Sequence, residues 1–112
     1  MNFPQRIQKA KKPDKRFRSP SHLKFVREHS CCVCGATFRI EAAHVRTGTD
    51  GGMGMKSGDY WVISLCATHH SEQHNIGEAL FEKKHGIDMK SLAREFVKRS
   101  PKRRELEEAR DR

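Results

Sequence analysis

The sequence predicts a small α+β domain, a two-stranded hairpin followed by helices. Three observations carry that expectation. Residues 38–45 and 60–65 have strand composition and flank a glycine-crowded stretch; Cys31, Cys34, Cys66 and His69 form two short chelating turns at the ends of that hairpin; and from Cys66 onward the pattern turns helical.

Size and composition frame the rest. A chain of 112 residues with 33% charged and 35% hydrophobic residues makes one domain with a small core. Such a core needs a staple. No stretch approaches the roughly 20 apolar residues that span a bilayer, which argues against a membrane partner. Residues 1–20 are basic and polar and do not resemble a secretory leader, so the expectation is a reduced chain whose cysteines bind metal rather than pair as disulfides.

The formal charge of +9 is unevenly placed. Arg6, Lys9, Lys11, Lys12, Lys15, Arg16 and Arg18 face the single acid Asp14 in residues 1–20, which also contain Pro4, Pro13 and Pro20. This reads as a disordered, mobile arm that suits a polyanion, because bound cationic side chains release the counterions condensed on nucleic acid.

Along the chain, Ser21 is placed to cap a helix reaching about Glu28, with Leu23, Phe25 and Val26 as its apolar contacts. Cys31 to Gly35 makes a tight turn. The segment 38–45 supplies Phe38, Ile40 and Val45 and fits a short strand ending near His44. Gly48, Gly51, Gly52, Gly54 and Gly58 then mark residues 47–58 as loop. Tyr60 to Leu65, with Trp61, Val62 and Ile63, is the strongest strand signal, and the two strands pair as a long hairpin.

After Cys66, His70 and His74 and then residues 77–85 form one broken helix or two consecutive helices, with Gly86 as a C-cap. Asp88 caps another helix whose apolar face is Met89, Leu92, Ala93, Phe96 and Val97. Residues 21–99 thus make the domain. Residues 100–112 offer little apolar face beyond Leu106 and Ala109, and are expected to be an exposed, frayed helix or tail, or one that packs against another chain.

Two constellations carry chemistry. The pattern Cys31-x-x-Cys34 with Cys66-x-x-His69 offers thiolates and an imidazole, the donor set that suits a structural, tetrahedral zinc. Cys32 competes with its neighbours, but Cys31 with Cys34 is the better-spaced pair. A closed zinc shell leaves His44, His70 and His74 over. His70 and His74 lie one helical turn apart, so their imidazoles can meet on one ion. The intervening Glu72 and Gln73 are expected to face away from a dry core.

The run Glu-Ala-Ala-His44-Val-Arg, followed by Ser-Gly-Asp59-Tyr-Trp-Val-Ile-Ser-Leu-Cys66-Ala-Thr-His69-His70-Ser-Glu-Gln-His74, resembles the HNH (ββα-metal) endonucleases. Small phage and prophage members, including the recombination-enhancement nuclease type, are the nearest in pattern. The likeness covers Cys31 to about Glu78. It implies a zinc-stapled ββα-metal fold, a metal-dependent DNA endonuclease, and a cytoplasmic, bacterial or phage-encoded protein. By the same resemblance His44 sits where the family's general base activates water, and His70 where its final histidine binds a catalytic divalent ion. His74 matches the additional helix ligand of colicin-type nuclease domains, and Asp59 falls near the asparagine that holds the base.

The chain departs from that pattern in carrying Asp59 for asparagine, and Ala43 where many relatives place a metal ligand. Glu41, Asp59 or a DNA phosphate could complete the shell left short at Ala43. Two imidazoles favour manganese, nickel or cobalt over magnesium as the catalytic ion. Arg46 or Lys56 could clamp a phosphate oxygen. The runner-up is a zinc-stapled nucleic-acid-binding module without catalysis, and a third reading is a zinc-bridged protein-interaction domain. His44 separates them, because a pure binding module has little use for three spare histidines. No base-reading helix is evident, so little sequence preference is expected.

Overall fold

The computed structural model of the chain describes residues 2–6, 16–51 and 56–112. Ordered elements begin with helix α1 (Pro20–Arg27), then strands β1 (Ile40–His44) and β2 (Val62–Cys66), then helices α2 (Ala67–Ile76), α3 (Glu78–His85), α4 (Met89–Arg99) and α5 (Arg103–Arg110). The expected α+β class, a hairpin with one helix before it and helices after, is present.

The strands pair antiparallel, with Ile40 opposite Cys66, Ala42 opposite Ser64 and His44 opposite Val62. Helices α1 and α2 pack on both strands and α4 packs on β2. Every residue of β2 is therefore buried, which is why it reads as a continuous apolar run rather than an alternating one. Ile63, Leu65, Phe81, Met89, Ala93, Val97 and Leu106 form the centre of the core. Each strand is shorter than its sequence signal: Phe38 precedes β1 and is 75% exposed, and Tyr60 and Trp61 lead into β2 from a turn.

Two boundaries move. Helix α1 is capped by Ser19, whose hydroxyl accepts from the His22 amide, and not by Ser21; Pro20 takes the first helical turn, where its missing N–H is no loss. The basic arm therefore ends earlier than residue 20, since Phe17, Arg18 and Ser19 are bonded to the Asp59 region. Residues 2–6 are exposed, and residues 7–15, with most of the arm's lysines, lie outside the described residues.

The tail is the second correction. Helix α5 packs on α4 of the same chain, and Leu106 is fully buried in the common core. Two apolar residues in an otherwise charged octapeptide suffice, Leu106 entering the core and Ala109 packing against it. Residues 100–112 are thus part of the domain, and Ser100 Oγ lies 2.9 Å from Nδ1 of the buried His22.

Burial pushes the His22 imidazole down to about 4, against a smaller upward pull from Asp59. The ring is neutral in the folded chain and charged in the unfolded chain below about 6.5. Its contribution is therefore fully present above pH 6.5 and is lost as pH falls toward 4. We expect urea unfolding to show a loss of about 3 kcal/mol across that window that His22→Gln lacks. Parallel pH profiles for the two proteins would remove His22 as the cause.

Candidate metal cluster and histidine cleft

Gly35, at a φ of +73°, turns the chain after Cys34 and donates its amide to the Cys31 carbonyl at 3.0 Å. That turn faces the end of β2, where Cys66 both closes the strand and serves as N-cap of α2. The ligand atoms of Cys31, Cys34, Cys66 and His69 consequently lie within 4.8 Å of one another, a group able to hold a metal ion. Cys34 Sγ is 3.9 Å from Cys66 Sγ, and His69 Nδ1 is 3.2 Å from Cys66 Sγ and 3.8 Å from Cys31 Sγ.

Cys32 is not part of this group. Its thiol turns to Ser64 Oγ at 3.4 Å, and burial pushes it up, only partly opposed by Ser64. Cys31 goes the other way. Burial would raise it, but the amides of Cys34, Cys66 and Val33 together with the Cys34 thiol bring it down to about 6. A thiol so placed is ready to ligate as thiolate.

Behind His69, the Glu72 carboxylate accepts from Lys84 at 2.7 Å and from His85, which ties α2 to the end of α3. His69, Glu72 and His85 form a second set of ligand-type atoms within 4.8 Å, one that the spacing pattern had not singled out.

Beside α2, a cleft of about 450 Å³ is lined by Leu23, Arg27, Glu41, Ala42, His44, Arg46, Lys56, His70 and His74. The three spare histidines thus share one cavity. His70 and His74 bring their Nε2 atoms to 3.2 Å. His70 Nδ1 lies 2.7 Å from Glu41 Oε1. A carboxylate can only accept, so His70 donates from Nδ1 and keeps its Nε2 lone pair toward His74.

His44 stands at the end of β1, with Nε2 2.8 Å from Asp59 Oδ1. Asp59 is buried, and burial alone would raise its carboxyl; the hydrogen bonds from His44 and the Ser19 amide, with the charges of His44 and Arg18, outweigh that and hold it below the usual carboxylate range. An ionised Asp59 accepts only, so His44 donates from Nε2. In the neutral ring, Nδ1 is then the free base.

Asp59 sits where it does because of a tight approach. A Cβ on Gly58 would collide with the Tyr60 ring, so the chain can fold back here only at glycine. Asp50 closes the base of the loop, accepting from the Gly58 amide at 3.0 Å and from the Tyr60 hydroxyl. Burial and Asp50 push that phenol up to about 12. Residues 52–55, at the centre of the glycine stretch, lie outside the described residues.

Three expectations change. Ala43 is fully buried, opposite Ile63 in the hairpin, and does not line the cleft; a carboxylate there would enter the core rather than add a ligand. Asp59, with its oxygens engaged by His44, Arg18 and Ser19, does not complete a metal shell either, and Glu41 bonds His70 at Nδ1, the nitrogen turned from His74. Gln73 is 3% exposed, with Nε2 3.4 Å from the His44 carbonyl and 3.3 Å from the Met89 sulfur. It faces the core after all, bracing the strand end that carries His44.

Arg46 and Lys56 line the cleft as expected, and Arg27 joins them from the last turn of α1. Arg27 was invisible in sequence because nothing local relates it to His44. Glu78 also escaped notice: its carboxylate accepts from the amides of Arg46 and Thr47 at 2.9 and 2.7 Å, fixing the turn that follows His44.

A family model described as "Protein of unknown function (DUF968)" matches residues 5–102, and the chain belongs to that family. It is similar to the uncharacterized protein YdfU of Escherichia coli (strain K12), at 31% identity over 86 residues, which cover 77% of this chain and 24% of that protein. The chain thus spans about a quarter of the length of the curated relative it matches. No solved structure matches it significantly. Among the described residues, no helix is long and apolar enough to cross a membrane.

Proposed function

We propose that this member of the DUF968 family is a metal-dependent DNA endonuclease of HNH type, stapled by a structural zinc. The observation that carries the reading is the meeting of His44, His70 and His74 in one cleft, with separate carboxylates on His44 and His70. The order of elements, β1 ending in His44, β2, then α2 bearing His70 and His74, supports the reading, since a ββα-metal arrangement needs that order.

Zinc suits the cysteine cluster. Bonds of about 2.3 Å to sulfur and about 2.0 Å to nitrogen give tetrahedral edges of about 3.5 to 3.8 Å. The measured separations of 3.9, 3.8 and 3.2 Å lie within a few tenths of those edges. All four cysteines are free thiols.

In the cleft, the 3.2 Å between His70 Nε2 and His74 Nε2 suits two donors of one divalent ion. When bound, such an ion neutralises charge developing on the phosphate and the leaving oxygen. The chain's own groups do the rest. His44 Nδ1 accepts the proton of the attacking water, and Asp59 fixes the tautomer that makes this nitrogen available. Glu41 fixes the complementary tautomer of His70. Arg27, Arg46 and Lys56 supply positive charge around a phosphodiester lying in the cleft.

Conversion of supercoiled plasmid to nicked or linear DNA tests the proposal. We expect activity with manganese, nickel or cobalt at lower concentrations than with magnesium, and His70→Ala to lose cleavage and the second metal equivalent together. A wild-type protein loaded with these metals that leaves plasmid intact, yet still shifts it on a gel, would favour the binding module without catalysis.

The basic arm is expected to add nonspecific affinity. Because Phe17 to Ser19 belong to the folded domain, the informative truncation removes residues 1–15 and not 1–18. We expect it to preserve the melting temperature, weaken DNA binding and flatten its salt dependence. An unchanged salt slope would exclude the arm from the DNA contact.

A further inference from the structure

Phe17, Arg18 and Ser19, the residues just ahead of α1, hold Asp59 by both its backbone and its side chain. The Asp59 amide donates to the Phe17 carbonyl at 2.9 Å, and the Ser19 amide donates to Asp59 Oδ2 at 2.8 Å. Arg18 Nη1 donates to the Ser57 carbonyl at 2.6 Å and to Asp59 Oδ1 at 3.2 Å. The Phe17 ring stacks on Tyr60, with centroids 6.2 Å apart. Asp59 Oδ1 is therefore shared between Arg18 and His44 Nε2.

We infer that Arg18 is a positioning residue for His44, acting through Asp59: it belongs to the site's machinery and not to the DNA-binding arm. The inference rests on the endonuclease reading for its kinetic consequence, though not for its structural one. An aspartate at this position differs from an asparagine in carrying a charge, and its side chain is only 2% exposed. A neutral His44 cannot balance that charge. A guanidinium always can, because it does not lose its proton in proteins. Arg18, together with the Ser19 amide, thus holds the Asp59 carboxylate in place by contacts that do not depend on the charge of the His44 ring. The Nε2–H bond then points one way throughout, and Nδ1 stays the free nitrogen.

The reach of Arg18 also explains the length of the segment. Its guanidinium spans from Asp59 to the Ser57 carbonyl, joining the two sides of Gly58 and pinning the tight turn from which Asp59 projects. Both bonds come from Nη1, so the three-donor ammonium of a lysine can meet the same two acceptors only in part, lacking the fixed direction of the guanidinium N–H groups.

The test is a double-mutant cycle of Arg18→Ala and Asp59→Asn, read by kcat and KM on an oligonucleotide duplex and by the ¹⁵N shifts of the His44 ring. In an otherwise unchanged protein we expect Arg18→Ala to lower kcat by about 10- to 100-fold with KM within about twofold. The His44 signal should move from the single Nε2–H tautomer to a mixture. With Asp59→Asn already present, adding Arg18→Ala should change kcat by less than about twofold, since the group it acts through is gone. Arg18→Lys should recover part of the loss. If Arg18→Ala melts too early to assay, Arg18→Lys alone carries the kinetic and tautomer readouts.

A raised KM at unchanged kcat would make Arg18 a phosphate contact, and additive effects in the cycle would show that it does not act through Asp59. Either overturns the inference. If the wild type itself fails to cleave, the endonuclease reading falls, and the His44 tautomer still decides the role of Arg18: a ring unchanged by Arg18→Ala rejects it.

Discussion

On the endonuclease reading, His44→Ala is expected to cleave plasmid at least about 10²-fold more slowly than the wild type while binding DNA nearly as well. The loss is that of the only cleft imidazole whose second nitrogen is held by a buried carboxylate among the described residues. Binding is expected to survive because, on this reading, affinity would come from charge spread over Arg27, Arg46, Lys56 and the arm, none of which His44 supports. The measurement is single-turnover cleavage at saturating protein, beside a gel shift at the same salt. Equal rates for variant and wild type would end the HNH reading and leave the zinc-stapled binding module as the better account.

Cys66→Ser is expected to abolish metal binding at the cysteine cluster and with it the folded state. Three roles meet at this residue: it ends β2, caps α2 and faces the thiols of the Cys31 turn. Zinc bound in small domains of this kind contributes on the order of 10 kcal/mol, comparable with the whole stability of an ordinary domain. Circular dichroism and metal analysis of reduced protein give the answer. Cys32→Ser is the control, and it should keep both metal and fold, since its thiol faces Ser64. A folded, metal-free Cys66→Ser protein would show that the apolar core suffices alone.

What could be read in the sequence was whatever local spacing encodes. Two chelating turns, an i,i+4 histidine pair and a glycine stretch between two strand signals placed the metal cluster, the hairpin and α2. Cys32 could be set aside from spacing alone, and its turn toward Ser64 agrees. What spacing could not encode is which strand residues reach the cleft. Position 43, where many relatives place a ligand, holds an alanine buried in the core, while the Glu41 carboxylate bonds His70. Gln73 looked exposed between two cleft histidines and is buried, because α2 is narrow enough for adjacent residues to serve the cleft and the core. The roles of Arg18, Arg27, Glu78 and Leu106 depend on contacts with residues far along the chain, so no local pattern announces them.

The meeting of strand end, helix start and metal ligand at Cys66 has a mechanical consequence. A slip of one residue between β1 and β2 would turn each strand side chain to the opposite face. Carried into α2, it would also swing His70 and His74 by about 100° around the helix axis, away from His44. The thiolate cluster forbids that slip, because Cys66 can meet Cys31 and Cys34 only when it stands opposite Ile40. With a metal bound, the cluster would serve as an indexing pin for the cleft: stripping that ion should blur the alignment of the histidines before the domain as a whole comes apart.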